Sequence, residues 1–133
     1  DIAVTGLACP MWVPLVENGE YDSPGADYFV KRRIEQILRA DPEIDTLVLA
    51  CTHYPLLMSK IVKYTPPGVR VIAQGDYVAA ALQDYLQRHP DLDARLSKGG
   101  RVRFLTTEDR AKFLESAATF VPTLDIEVEH ITL

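Results

Sequence analysis

The run Thr46-Leu47-Val48-Leu49-Ala50 constrains the fold of this 133-residue chain more than any other segment. It is β-rich, wholly apolar after Thr46, and shows no polar alternation. A strand of that kind is expected near the centre of a parallel sheet, covered on both faces. Helical patterns stand on either side of it. Ser23-Pro24 reads as a helix start, with Ser23 as the cap and Pro24 in the first turn. Val30, Ile34, Ile37 and Leu38 follow at helical spacing, and Asp41-Pro42 stops the helix. Beyond the apolar run, Pro55 opens a stretch that carries Leu57, Ile61 and Tyr64 on one side, and Pro66-Pro67-Gly68 ends it.

The alternation continues in both directions. Residues 2–9 form a short apolar run ending at Pro10, which predicts a buried strand. Residues 69–73 predict another. Residues 76–88 predict a helix with Val78, Leu82, Tyr85 and Leu86 on one face and Asp76 as its cap. Residues 89–100, with Pro90 and Gly99-Gly100, read as a loop. Residues 101–106 predict a strand. A helix capped by Thr106 or Thr107 then carries Phe113, Leu114, Ala117, Phe120 and Val121. Residues 126–131 predict a half-exposed closing strand. Repeated β-α-β order implies an α/β fold with a doubly wound parallel sheet.

The formal net charge of -5 argues against nucleic acid or an anionic membrane as partner, since both select basic surface. No apolar stretch approaches the roughly 20 residues of a membrane span. Asp1-Ile2-Ala3-Val4 lacks the basic start of a signal peptide, and residue 1 is not Met, so the chain is expected to begin inside a longer one. Two cysteines are too few for a disulfide scaffold, which favours a reducing cytoplasm. Cys9 and Cys51 could pair, but nothing in the sequence requires it.

The chemistry concentrates in Leu49-Ala50-Cys51-Thr52-His53-Tyr54-Pro55-Leu56-Leu57. This stretch lies at the carboxyl end of a strand and the start of a helix, the edge where open α/β sheets bind ligands. A thiol there faces helix N–H groups that favour the thiolate. Thr52 offers a hydroxyl and a backbone N–H to a carboxylate, and His53 can exchange protons with a thiol or substrate. On residues alone, a cysteine after a buried strand is also commonly a small core hydrophobe. Cys-x-His supplies two ligands where zinc needs three or four, and Cys9, His89 and His130 show no ligand spacing, so no metal site is expected.

Cys51-Thr52-His53-Tyr54-Pro55-Leu56-Leu57 resembles the second-cysteine motif of glutamate racemases, C-T-H-Y-P-L-L. Cys9-Pro10-Met11-Trp12-Val13-Pro14-Leu15-Val16-Glu17 resembles that family's A-C-P-L-F-V-P-L-V-E segment. Val71-Ile72-Ala73-Gln74-Gly75 is similar to V-I-D-S-G, and Thr106-Thr107-Glu108-Asp109 to T-T-G-D, both weaker signals. The resemblance implies a cofactor-independent racemase that uses neither pyridoxal nor metal. One cysteine thiolate removes the Cα proton of glutamate, and a cysteine on the opposite face returns one, supplying D-glutamate for peptidoglycan precursors. It assigns Cys51 as acid/base, His53 and Glu17 as its helpers, and Thr52 to substrate. His53 favours glutamate, because related aspartate racemases tend to show C-T-E at this place.

The resemblance also implies a two-lobe architecture about twice this length, in line with about 100–200 residues per domain. Residues 1–74 would form most of the Cys51-bearing lobe. Residues 75–133 would complete the other lobe, whose N-terminal part, with the first cysteine, is absent. The chain alone is then expected to be inactive, and to self-associate or pair with a missing N-terminal half. The rival readings are a non-enzymatic α/β binding module and a racemase of another amino acid such as aspartate, or of a hydantoin.

Several residues carry plainer readings. Cys9 reads as a core or cleft-wall thiol, and Glu17 has a solvated loop carboxylate as its alternative. Trp12 reads as packing, Lys31-Arg32-Arg33 as the wet face of a helix, and His89 and His130 as surface residues.

Overall fold

A computed structural model describes residues 1–100, 102–122 and 127–133. The chain divides into two compact units, Asp1–Asp84 and Tyr85–Leu133.

In the first unit, α1 (Trp12–Glu17) leads to α2 (Pro24–Ala40) and β1 (Thr46–Leu49). A 3-10 turn (Tyr54–Leu57) runs directly into α3 (Met58–Tyr64), followed by β2 (Arg70–Ala73). α4 (Gln74–Arg88) crosses the division between the units. β1 and β2 pair in parallel, with Thr46 opposite Arg70 and Leu49 opposite Ala73. The 3-10 turn and α3 form the crossover that a parallel pair requires.

α2 forms as its sequence predicts. The Ser23 side chain accepts a hydrogen bond from Ala26 N, Pro24 opens the first turn, and Asp41 caps the end. Its Ala26, Val30 and Ile34 bury against Trp12 and Val16 of α1, Leu47 and Leu49 of β1, and Leu57 and Ile61. Leu57 and Ile61 are fully buried, and each contributes about 1.5–3 kcal/mol of transfer free energy. Gly68, at φ +96, turns the chain after Pro66-Pro67, as the sequence predicts for the end of that helix.

A polar brace reinforces the α2–α3 contact. Asp27 accepts hydrogen bonds from Lys60 Nζ at 2.7 Å, Lys63 Nζ at 2.8 Å and Tyr64 Oη at 2.6 Å. Lys60 is buried and also donates to the Asp22 carbonyl. These bonds hold the Asp27 carboxyl well below the usual carboxylate range, with Lys60 the largest cause. The same contact pushes Lys63 up to about 12.

Three expectations need correction in this unit. β1 buries only one face: Leu47 and Leu49 enter the core, whereas Val48 is 59% exposed. Among the described residues β1 pairs with β2 alone, and the helices pack on the Leu47 and Leu49 side. Residues 2–9 form no strand, and Ile2 and Val4 stand in solvent. An apolar run becomes a strand only where a neighbouring edge accepts its ladder bonds, and this segment is tied instead by Thr5 Oγ1 donating to Asp41. α4 begins at Gln74, so Asp76 sits within its first turn instead of capping it, and Val78, Leu82 and Tyr85 are exposed.

The second unit contains α5 (Pro90–Arg95), β3 (Phe104–Thr106), α6 (Arg110–Phe120) and β4 (Val128–His130). β3 and β4 pair in parallel, Phe104 opposite Val128 and Thr106 opposite His130. Val128 and Thr106 are buried, and the Phe104 ring lies near that of Phe113. The predicted strands start at Arg101 and Ile126, which lie outside the described residues. α5 falls where a loop was expected: Pro90 opens its first turn and Asp91 and Asp93 follow there, both favourable at a helix start. The cap of α6 is Asp109, whose side chain accepts from Ala111 N and Lys112 N. Thr106 Oγ1 accepts instead from Glu108 N, closing the turn ahead of the helix. Among the described residues no helix is long and apolar enough to cross a membrane.

Candidate active site

β1 ends at Leu49, and the chain turns at once through Cys51-Thr52-His53. Tyr54 N donates to the Cys51 carbonyl at 3.2 Å, and Leu56 N donates to the His53 carbonyl at 3.1 Å. Pro55, with its fixed φ, sits in the first residues of the 3-10 turn. The helix after the cysteine therefore starts as 3-10 and becomes α only at Met58.

α1, a helix that Pro10 and Pro14 do not announce in the sequence, supplies the facing wall. Trp12 N donates to the Cys9 carbonyl at its start. At its end Gly19, at φ +71, lets Gly19 N reach the Val16 carbonyl and Glu20 N reach the Leu15 carbonyl. Glu17 is thus the last residue of a helix, not a loop carboxylate.

These two elements bring Glu17, His53 and Cys51 into one row. Cys51 Sγ lies 3.8 Å from His53 Nδ1, and His53 Nε2 lies 3.2 Å from Glu17 Oε1. A carboxylate can only accept, so the ring donates from Nε2 to Glu17. In neutral imidazole that leaves Nδ1 as a lone pair facing the thiol, ready to take its proton. The Glu17 side chain is 60% exposed and that of His53 23%. A contact so wet contributes roughly 0.2–1 kcal/mol to stability at most, so its consequence is orientation of the ring. Cys51 is half-buried, and Thr52 stands exposed in the turn between the two.

Cys9 lies apart from this row. It lines an apolar groove with Leu7, Trp12, Leu47, Leu49 and Tyr54. Burial pushes its thiol up, against the Arg33 guanidinium and a hydrogen bond with Tyr54, which pull it down. Burial likewise raises Tyr54, with the neighbouring Cys9 and Cys51 adding to the effect. Trp12 does pack, but from inside α1: it is buried, its ring meets Tyr54 edge-on at 4.7 Å, and its Nε1 donates to the Phe29 carbonyl at 3.4 Å. Tyr54 received no role from the sequence beyond its place in the motif. His89 Nδ1 donates to the Tyr85 carbonyl while its ring stacks on that of Tyr85, and His130 is exposed. Among the described residues no group of three or more His, Cys, Asp or Glu is placed to hold a metal ion.

Parallel strand pairs, helical crossovers and a thiol at a strand's carboxyl end define an α/β chain of the racemase fold. That class is carried by three solved structures. The glutamate racemase isoform of Bacillus anthracis superposes with a TM-score of 0.79 at 31% identity, over 95% of this chain and 46% of that one. The Thermus thermophilus glutamate racemase, in complex with β-chloro-D-alanine, gives 0.75 at 30% identity over 95% and 46%. The Francisella tularensis enzyme, in complex with D-glutamate, gives 0.75 at 24% identity, a likeness of fold. No protein-family model matches the chain. In sequence it is 41% identical to the glutamate racemase of Streptococcus mutans over its whole length, and 37% identical to that of Listeria monocytogenes over 99% of it. The chain is similar to these glutamate racemases, and it spans about half their length, 49% and 48%.

Proposed function

We propose that this chain is the Cys51-bearing half of a glutamate racemase. The observation that carries this reading is the Glu17–His53–Cys51 row at the end of β1, in a chain whose relatives are glutamate racemases. Cys51 acts as one acid/base. As thiolate it takes the Cα proton of glutamate, which leaves a carbanion and a neutral thiol. A thiol on the opposite face, supplied by the other half, gives its proton to the carbanion, and inversion is complete. His53 receives the Cys51 proton when the thiolate is formed, and Glu17 holds the ring with Nδ1 toward sulfur. Thr52, exposed beside the thiol, binds a substrate carboxylate. No pyridoxal or metal takes part.

The carbanion forms next to an ionised carboxylate, so fixed donors in a closed cleft must carry the developing charge. That cleft needs both lobes. Residues 1–74 form most of one lobe and residues 75–133 help to complete the other. The product supplies peptidoglycan precursor synthesis in the cytoplasm, where thiols stay reduced.

The test is to express the chain with the complementary half of the Streptococcus mutans relative and follow D-glutamate by chiral chromatography in deuterated water. Turnover with deuterium at Cα is expected, and its loss on Cys51→Ser. Turnover that survives Cys51→Ser would remove Cys51 from the chemistry. The chain alone, mixed with L-glutamate, should show no change in optical rotation. L-aspartate run in parallel separates glutamate from the aspartate alternative.

A further inference from the structure

The Glu17–His53 contact joins two elements far apart in sequence, and something must hold them at hydrogen-bonding distance. The hydrogen bond itself is too exposed to do so. Glu17 ends α1, and His53 immediately precedes the 3-10 turn. Among the contacts that join these elements inside the protein, the directional one is aromatic. Trp12, the first residue of α1, meets Tyr54, the first residue of the 3-10 turn, edge to face at 4.7 Å and 69°. Both rings are anchored elsewhere. Trp12 Nε1 donates to the Phe29 carbonyl of α2, and the Tyr54 side chain packs against the core cluster. Trp12 is 2% exposed, so its position is set by the core.

We infer that the Trp12–Tyr54 contact is the positioning element of the row: it sets the distance from Glu17 to His53, and thereby which nitrogen of His53 faces Cys51. The aromatic pair is directional, with Trp12 buried and Tyr54 half-buried, whereas the polar contact it serves is wet and weak. A small shift of α1 along its axis would carry Glu17 away from Nε2. The inference rests on the reading of Cys51, His53 and Glu17 as working groups, but its test does not require turnover.

The experiment uses the full chain with two readouts at one fixed pH. One is the imidazole 15N shifts of His53, which report the protonated nitrogen. The other is the iodoacetamide rate of Cys51, followed by mass spectrometry on its own peptide. Glu17→Gln gives the reference for a row without its carboxylate. Trp12→Leu and Tyr54→Leu, which remove either ring, should reproduce the nitrogen shifts of Glu17→Gln and slow Cys51 alkylation several-fold. Trp12→Phe, which keeps an aromatic edge, should restore both, and Tyr54→Phe should leave the nitrogen shifts as in the wild type. Val128→Ala is a control at a buried position of β4, outside the cluster that holds the pair, and should leave both readouts unchanged.

Wild-type shifts and rate in a folded Leu variant overturn the inference. So does an equal change in Val128→Ala, or unfolding of both Leu variants, which would make the pair a stability element only. Absence of racemisation in the two-half experiment would leave these readouts unaffected, so the two failures are distinguishable.

Discussion

Glu17 stands 3.2 Å from His53 across 36 positions of sequence, although its side chain is mostly in water. The arrangement separates stability from chemistry. Glu17→Gln should shift the folding free energy by no more than about 1 kcal/mol, the ceiling for an exposed pair. His53→Ala in the two-half enzyme should lower turnover by roughly 10²–10⁴-fold, the usual weight of a positioned acid/base. Thermal melts and chiral assays on the same preparations check both.

The Asp27 brace sets the response to pH. Asp27 titrates below its ordinary 3.8 in the folded chain, so it stabilises the fold above that value and the contribution is lost as pH falls through its depressed range. Lys63 is raised from 10.5 to about 12, so its share is complete below 10.5 and fades as pH rises through about 12. The two together predict a stability plateau between these limits. Asp27→Asn should lower the melting temperature at neutral pH and flatten the acid limb, because Lys60 then keeps a buried charge without its carboxylate. A melting temperature that falls with acid as steeply in Asp27→Asn as in the wild type would refute the assignment.

Core substitutions should separate the two faces of β1. Leu57→Ala, at a fully buried site, is expected to cost about 2–5 kcal/mol. Val48→Thr, on the open face, should stay within about 0.5 kcal/mol. Urea titration of the two variants tests whether β1 is covered on one side, as the structure has it, or on both, as its apolar run suggests.

That contrast shows what the residues disclose. Ser23, Pro24, Asp41 and Gly68 act through local backbone chemistry, so the ends of α2 and α3 are legible without a structure. The run at 46–50 is legible as a strand, but its neighbours are not, because coverage depends on elements distant in sequence. Residues 2–9 have strand composition without a ladder partner, and composition cannot register that. Pro90 misleads because the same residue breaks a helix interior and favours a helix start. In the site, Cys51, Thr52 and His53 lie together in the chain. Glu17 is reached only through the resemblance, and the pairing of Trp12 with Tyr54 only through three-dimensional packing.

The α6 cap offers a small and decisive check on that local chemistry. Asp109→Ala removes the acceptor for Ala111 N and Lys112 N and should cost about 1 kcal/mol of helix stability. Thr107→Ala, at one of the positions the sequence favoured, should cost far less. Helical circular dichroism and melting of the two variants decide between them.

The last prediction concerns association. Val48 presents an apolar side chain on the open face of β1, and Val78, Leu82 and Tyr85 present others along α4, at 60%, 56% and 43% exposure. Spacing of four and three residues puts the α4 set on one helix face. Apolar faces of this kind mark surfaces that bind protein. Among the described residues β1 pairs with β2 alone, which leaves its other edge able to accept another strand. If the proposed function holds, the complementary half of a two-lobe racemase is the partner expected to cover these surfaces. Alone, the chain should self-associate in size-exclusion chromatography with light scattering, increasingly with concentration. Leu82→Lys should weaken that association, and an added complementary half should displace it in favour of a one-to-one pair. A concentration-independent monomer that ignores the complementary half would show that these residues are ordinary surface.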